Sequence, residues 1–164
     1  MKAGTYSQIY IHIVFAVKYR QRLIDSRWEA DLYKYITGIV QRRGQKMLAV
    51  NGMPDHIHIF IGMKPSCCLS DLVRDIKKTS NSFIKDNHYC KCPFEWQSGY
   101  GAFSYGHSSL SNVINYINNQ KAHHKKQSFS EEYIEFMKKF QVEFNDKYLF
   151  DSKGSGDDEQ RAFN

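Results

Sequence analysis

Residues 53–60 read MPDHIHIF. On an extended strand the side chains alternate between faces, so His56 and His58 point to one side and Ile57, Ile59 and Ile61 to the other. Two imidazoles about 6–7 Å apart along a strand can converge on one small object, such as a divalent cation or a phosphate. Imidazole suits Zn, Mn, Ni or Fe, and Mg where phosphate oxygens and water complete the shell. Two protein ligands make a weak site, so a further ligand is expected elsewhere. NVINYINNQKAHHKK at 112–126 offers one. Leu110, Val113, Ile114 and Ile117 recur at helical spacing, and Tyr116 and Gln120 stand one turn apart at the polar border of that stripe. Tyr116, Gln120, His56 and His58 together supply a nucleophile and three ligands. Tyr105 is the alternative nucleophile, disfavoured because it ends a glycine-rich strand with no ligand one turn away.

The elements that must position these residues are legible around them. QIYIHIVFAVK at 8–18 alternates Ile9, Ile11, Ile13, Phe15 and Val17 against Tyr10, His12, Val14 and Ala16, which predicts a buried strand. SRWE at 26–29 has the form of a capping box, with Ser26 and Glu29 opening a helix that carries Trp28, Leu32, Tyr35, Ile36, Ile39 and Val40 and ends near Gly44. Residues 46–64 predict a hairpin with its turn through Gly52 and Pro54. Ser70 and Asp71 open a second helix with Leu72, Val73, Ile76, Ser80, Phe83 and Ile84 inward. FEWQSGYGAFSYG at 94–106 predicts a strand that something approaches closely. A third helix then carries Tyr116 and Gln120, and a fourth, capped by Ser130, turns Phe136 and Phe140 inward.

The order βαββαβ followed by two helices predicts an α+β fold, a ferredoxin-like antiparallel sheet with helices on one face and two C-terminal helices. Residues 1–150 form one domain in this reading, and 151–164, rich in Ser, Gly and Asp, a disordered acidic tail.

A net charge of +6 on 164 residues suits a polyanionic partner. No apolar run approaches the ~18 residues of a membrane span, and the N-terminus lacks a signal-peptide pattern, so a cytoplasmic protein is expected. Cys67–Cys68 and Cys90-Lys-Cys92 lack zinc-knuckle spacing and are expected as free thiols, with a zinc site as the alternative. Arg20, Arg22, Arg74, Lys77, Lys78 and Lys121 are candidate phosphate contacts, and Tyr19 or Tyr105 candidate stacking platforms.

PDHIHIFIG, WQSGYGAFSY and NVINYINNQKAHHKK, in that order, resemble the single-tyrosine HUH transposases of the smallest bacterial insertion sequences and their repeat-associated relatives. The resemblance runs over about residues 6–150. It implies a sheet of the RNA-recognition type, a metal site of His56, His58 and Gln120 holding Mg²⁺ or Mn²⁺, and Tyr116 as the nucleophile that forms a 5′-phosphotyrosine. It also implies single-stranded DNA, usually a hairpin near the element's ends, as substrate. The implied assembly is a homodimer in which the tyrosine helix of one chain can complete the histidine site of the other. Three other readings fit the same residues: a relaxase or replication initiator of the same chemistry, a nonenzymatic single-stranded nucleic-acid (hairpin) binding module, and a descendant that binds hairpins without moving an element.

Overall fold

The computed structural model describes residues 4–123 and 127–144. The chain runs β1 (Tyr10–Ala16), α1 (Glu29–Arg42), β2 (Lys46–Met53), β3 (His56–Gly62), α2 (Leu69–Asp86), β4 (Gly101–Tyr105), α3 (Leu110–Asn118), α4 (Gln120–His123) and α5 (Phe129–Lys139). The four strands form one antiparallel sheet in the order β2-β3-β1-β4, the split arrangement that βαββαβ predicts. The expected tail, 151–164, lies outside the described residues.

The alternation in β1 and β3 sets the two layers. Ile13, Phe15, Val17, Ile57, Ile59 and Ile61 pack with Leu32, Ile36, Ile39, Leu72, Val73 and Ile76 of α1 and α2. On the other face Val14, Ala16, Phe60 and Phe103 meet the C-terminal helices through Val113, Ile117, Phe129, Phe136 and Met137. Both faces are therefore covered, and the central strand β3 is buried almost throughout. The histidines of β3 consequently sit in a covered layer instead of on an open polar face.

The β2–β3 hairpin is tighter than its sequence suggests. Gly52 belongs to β2, and a Cβ there would meet the His56 carbonyl and come within 3.0 Å of Ile57 Cα, so the turn itself is carried by Pro54 and Asp55. The aromatic strand is closely approached as expected: a Cβ on Gly101 would lie 2.8 Å from the Tyr133 ring of α5.

Three local expectations are corrected. The Ser26–Glu29 capping box does not form. Asp25 takes over the helix entry, its carbonyl accepting from Trp28 and Glu29 amides and its carboxylate from the Arg27 amide and guanidinium. Glu29 is used instead by the Tyr33 hydroxyl and the Lys121 ammonium. The third helix is broken at Asn119, because the Asn51 side-chain amide of β2 donates to the Ile117 and Asn118 carbonyls, which closes α3 and starts α4 at Gln120. The α5 cap is Ser128, whose hydroxyl accepts from the Glu131 amide; Ser130 lies inside the helix.

Candidate metal and tyrosine centre

His56 and His58, one strand pleat apart on β3, turn their Nε2 atoms into the layer under α3, α4 and α5. Gln120, the first residue of α4, aims its side chain there, with Oε1 3.4 Å from His56 Nε2. A group that sequence reasoning missed completes the cluster. Glu132 of α5 places Oε1 2.9 Å from His58 Nε2 and 3.5 Å from His56 Nε2. Its other oxygen, Oε2, accepts the Tyr116 hydroxyl and lies 3.4 Å from the Gln120 amide nitrogen. All four donor-bearing side chains are buried, Glu132 at 1% exposure. A carboxylate so far from water has to be paired, and here it is paired on both oxygens.

These separations are those of neighbouring ligands around a shared centre. Donors held about 2.1 Å from an ion stand roughly 3.0 Å apart in an octahedral shell and roughly 3.4 Å in a tetrahedral one. The ligand atoms of His56, His58 and Glu132 lie within 4.8 Å of one another. The imidazole and carboxylate donors, with the adjacent amide oxygen of Gln120, therefore fit a divalent cation.

The ligand histidines are oriented from behind. Asp55, in the turn, places Oδ1 2.7 Å from His56 Nδ1. Burial works to lower the His56 pKa, but Asp55 and Glu132 outweigh it and hold the ring above its ordinary value. His56 also stacks on Phe129, with ring centroids 4.3 Å apart. His12 of β1 puts Nε2 2.8 Å from His58 Nδ1. Burial first, then neighbouring His58, drives His12 well below the usual imidazole range, so it is neutral.

Tyr116 packs edge-on against His58 and Phe136, at 5.9 and 5.8 Å between ring centroids. Burial, followed by the Glu132 charge, raises its phenol far above the usual value. The phenol and Glu132 form one wall of a cleft of about 500 Å³ between α3 and α5, lined also by Tyr105, Asn112, Phe136 and Lys139.

Residues 5–120 match the family model described as "Transposase IS200 like". The chain belongs to this transposase family. It is 26% identical over 77 residues to the ISDra2 transposase TnpA of Deinococcus radiodurans, a match covering 47% of this chain and 55% of that relative. Two solved structures share the fold at a TM-score of 0.56 each. One is a Deinococcus radiodurans crystal structure assigned as a transposase, 22% identical, covering 73% of this chain and 96% of that one. The other is a REP-associated tyrosine transposase bound to a REP hairpin, 16% identical, covering 76% of this chain and 74% of that one.

In this chain the candidate phosphate contacts fall into two groups. Arg74, Lys77 and Lys78 lie on α2, across the sheet from the tyrosine centre. Arg74 pairs with Asp71, and the Lys77 ammonium, over the Phe15 ring, donates to the carbonyls of Gln97 and Gly99. Burial brings Lys77 down to about 8, which marks a structural amine more than a solvated phosphate contact. Arg20, Arg22 and Lys121 lie on the same side as the site. Arg20 donates to Ser130 of α5, Arg22 is exposed near Asp55, and Lys121 bridges Glu29 and the Gly52 carbonyl. Lys139, unmarked in the sequence reading, stands 5.5 Å over the Tyr105 ring at the cleft. None of the four cysteines is joined in a disulfide. Among the described residues, no helix is long and apolar enough to cross a membrane.

Proposed function

We propose that this transposase cleaves and rejoins single-stranded DNA by metal-assisted tyrosine transesterification, with Tyr116 as nucleophile and His56, His58, Gln120 and Glu132 as the ligand set. The observation that carries the proposal is the meeting of a phenol and four ligand side chains from β3, α3, α4 and α5, two of which, Tyr116 and Glu132, line one cleft. A divalent cation, Mg²⁺ or Mn²⁺, would polarise the scissile phosphate and offset the charge that builds on its oxygens.

Tyr116 Oη attacks phosphorus and the bond from phosphorus to the 3′ oxygen breaks, leaving a 5′-phosphotyrosine and a free 3′-hydroxyl. Glu132 Oε2 rests on the phenol and is the group placed to take its proton. The ester linkage conserves the energy of the broken bond, so another 3′-hydroxyl can reverse the step without ATP. Strand transfer in place of hydrolysis follows from a tyrosine nucleophile. The cleft offers Tyr105 and Phe136 as apolar walls and Lys139 as a cation for the strand. The hairpin in the related REP-associated structure supports a folded single strand as substrate. The family resemblance supports a homodimer, although in this structure Tyr116 meets the histidines within one chain.

The test is a denaturing gel of protein incubated with labelled single-stranded hairpins carrying the DNA that flanks its gene. A covalent adduct that needs Mg²⁺ or Mn²⁺ and disappears with EDTA is expected. Tight binding of the hairpins without any adduct would favour the nonenzymatic module.

The pH profile has a defined sign. With the Tyr116 pKa raised by burial and by Glu132, the ionised fraction grows throughout the neutral range. At saturating metal, single-turnover cleavage should rise from pH 6.5 to 8.5, by up to about tenfold per unit. A rate that falls over this interval would contradict a phenol nucleophile held in this way.

A further inference from the structure

His12 is not a member of the ligand cluster, yet it touches it. It projects from β1 beside Phe60, is fully buried, and stacks on His58 with ring centroids 5.0 Å apart. The edge of Phe136, at 5.2 Å, closes its other side. Its Nε2 reaches His58 Nδ1 at 2.8 Å, whereas its Nδ1 has no hydrogen-bond partner. Such a buried imidazole in an apolar layer calls for a reason.

A hydrogen bond between two neutral imidazole nitrogens uses one proton, and whichever ring donates fixes the far side of the other. If His12 donates, His58 carries its own proton on Nε2 and gives it to Glu132, the arrangement matched by the 2.9 Å contact there. If His58 donates from Nδ1, its Nε2 presents a lone pair to the ligand cluster. Asp55, a carboxylate, can only accept from His56 Nδ1, so the two histidines are held differently. His56 has a one-way partner, and His58 has a two-way partner.

We infer that His12 is a positioning residue of the metal site, holding the His58 ring and switching from donor to acceptor so that His58 Nε2 becomes a ligand when the cation binds. The inference rests on the metal-site reading above. In accepting, His12 carries its own proton on Nδ1; an apolar ring at position 12 would fill the same space but hold the His58 ring by no hydrogen bond at Nδ1, so that its Nε2 is no longer held on the cluster and metal binding is disfavoured. Glutamine would restore the bond in either direction, because its amide can present oxygen or nitrogen at the place of Nε2.

The test is Mn²⁺ affinity of the full chain without DNA, measured by titration calorimetry for wild type, His12→Phe and His12→Gln. The expected result is a 10- to 100-fold loss for His12→Phe and a change within about threefold for His12→Gln. Should His12→Phe not melt cooperatively, ¹⁵N NMR of the wild-type histidines reads the same switch. His58 is expected with its proton on Nε2 in the metal-free protein and on Nδ1 when saturated with Zn²⁺. Wild-type affinity in His12→Phe, an equal loss in both variants, or a His58 tautomer unmoved by Zn²⁺ would overturn the inference while leaving the metal site standing. Failure of the wild type to bind Mn²⁺ at millimolar concentration is a different result, which removes the metal site and this inference together.

Discussion

Tyr116→Phe is expected to abolish strand cleavage and the covalent protein–DNA adduct while changing single-stranded DNA affinity by less than about threefold. The substitution removes only the hydroxyl. The ring keeps its edge-on packing against His58 and Phe136, and Glu132 keeps its contacts to both histidines, so the fold and ligand cluster persist. No covalent intermediate can form without the oxygen, and no neighbouring group replaces it at the same point. Tyr105 is the one other tyrosine among the residues lining the cleft, and burial pushes its phenol up to about 12. Single-turnover cleavage of a labelled hairpin, with binding followed by anisotropy, separates the two effects. Cleavage by the Phe variant at more than about a hundredth of the wild-type rate would transfer the nucleophile to another residue, with Tyr105→Phe as the next measurement.

Much of this arrangement is legible in the residues, and what escapes has physical causes. The two faces of the sheet follow from the alternation in QIYIHIVFAVK and DHIHIFIG, because strict period two pins each residue to one face, and the strand order from the βαββαβ succession. Tyr116 and Gln120 were readable as a pair one turn apart, but the helix between them is broken by Asn51, which comes from a strand more than sixty residues earlier. No local signal at Asn119 announces that. Glu132 did leave a trace. Phe129, Tyr133, Phe136, Met137 and Phe140 follow at helical spacing, and Glu132 falls inside their stripe, where a carboxylate is buried only with partners. His12 left the weaker trace of a lone imidazole on the second face of an apolar strand. Both were obscured because covering of that second face depends on the C-terminal helices, a tertiary fact. The capping signal at 26–29 failed for the opposite reason: Ser26 has the right type, but Asp25 is the residue that reaches the helix entry.

Glu132→Gln is the second large effect, and it separates two roles that a buried carboxylate at this position can play. A carboxylate lodged between two imidazoles and a phenol could be a ligand and proton acceptor, or a plug that keeps the cation out. Its oxygen stands 2.9 and 3.5 Å from the two imidazole nitrogens, a separation that serves hydrogen bonding and that two ligands of one cation also keep, so the variant decides between the roles. The amide keeps the size and one acceptor oxygen, but it forfeits the negative charge that attracts a divalent cation and receives the Tyr116 proton. Cleavage at fixed Mn²⁺ should therefore fall by about 10²–10³-fold, with weaker Mn²⁺ binding measured by calorimetry. Removing the carboxylate also takes a buried charge away from its partners, the two imidazoles and the Tyr116 hydroxyl, so the metal-free thermal midpoint of Glu132→Gln should fall. A plug predicts the reverse for activity: an amide in its place would bind Mn²⁺ no more weakly and cleave faster than wild type. Measured together, rate and metal affinity assign Glu132, because a ligand that also serves the phenol loses both whereas a plug loses neither.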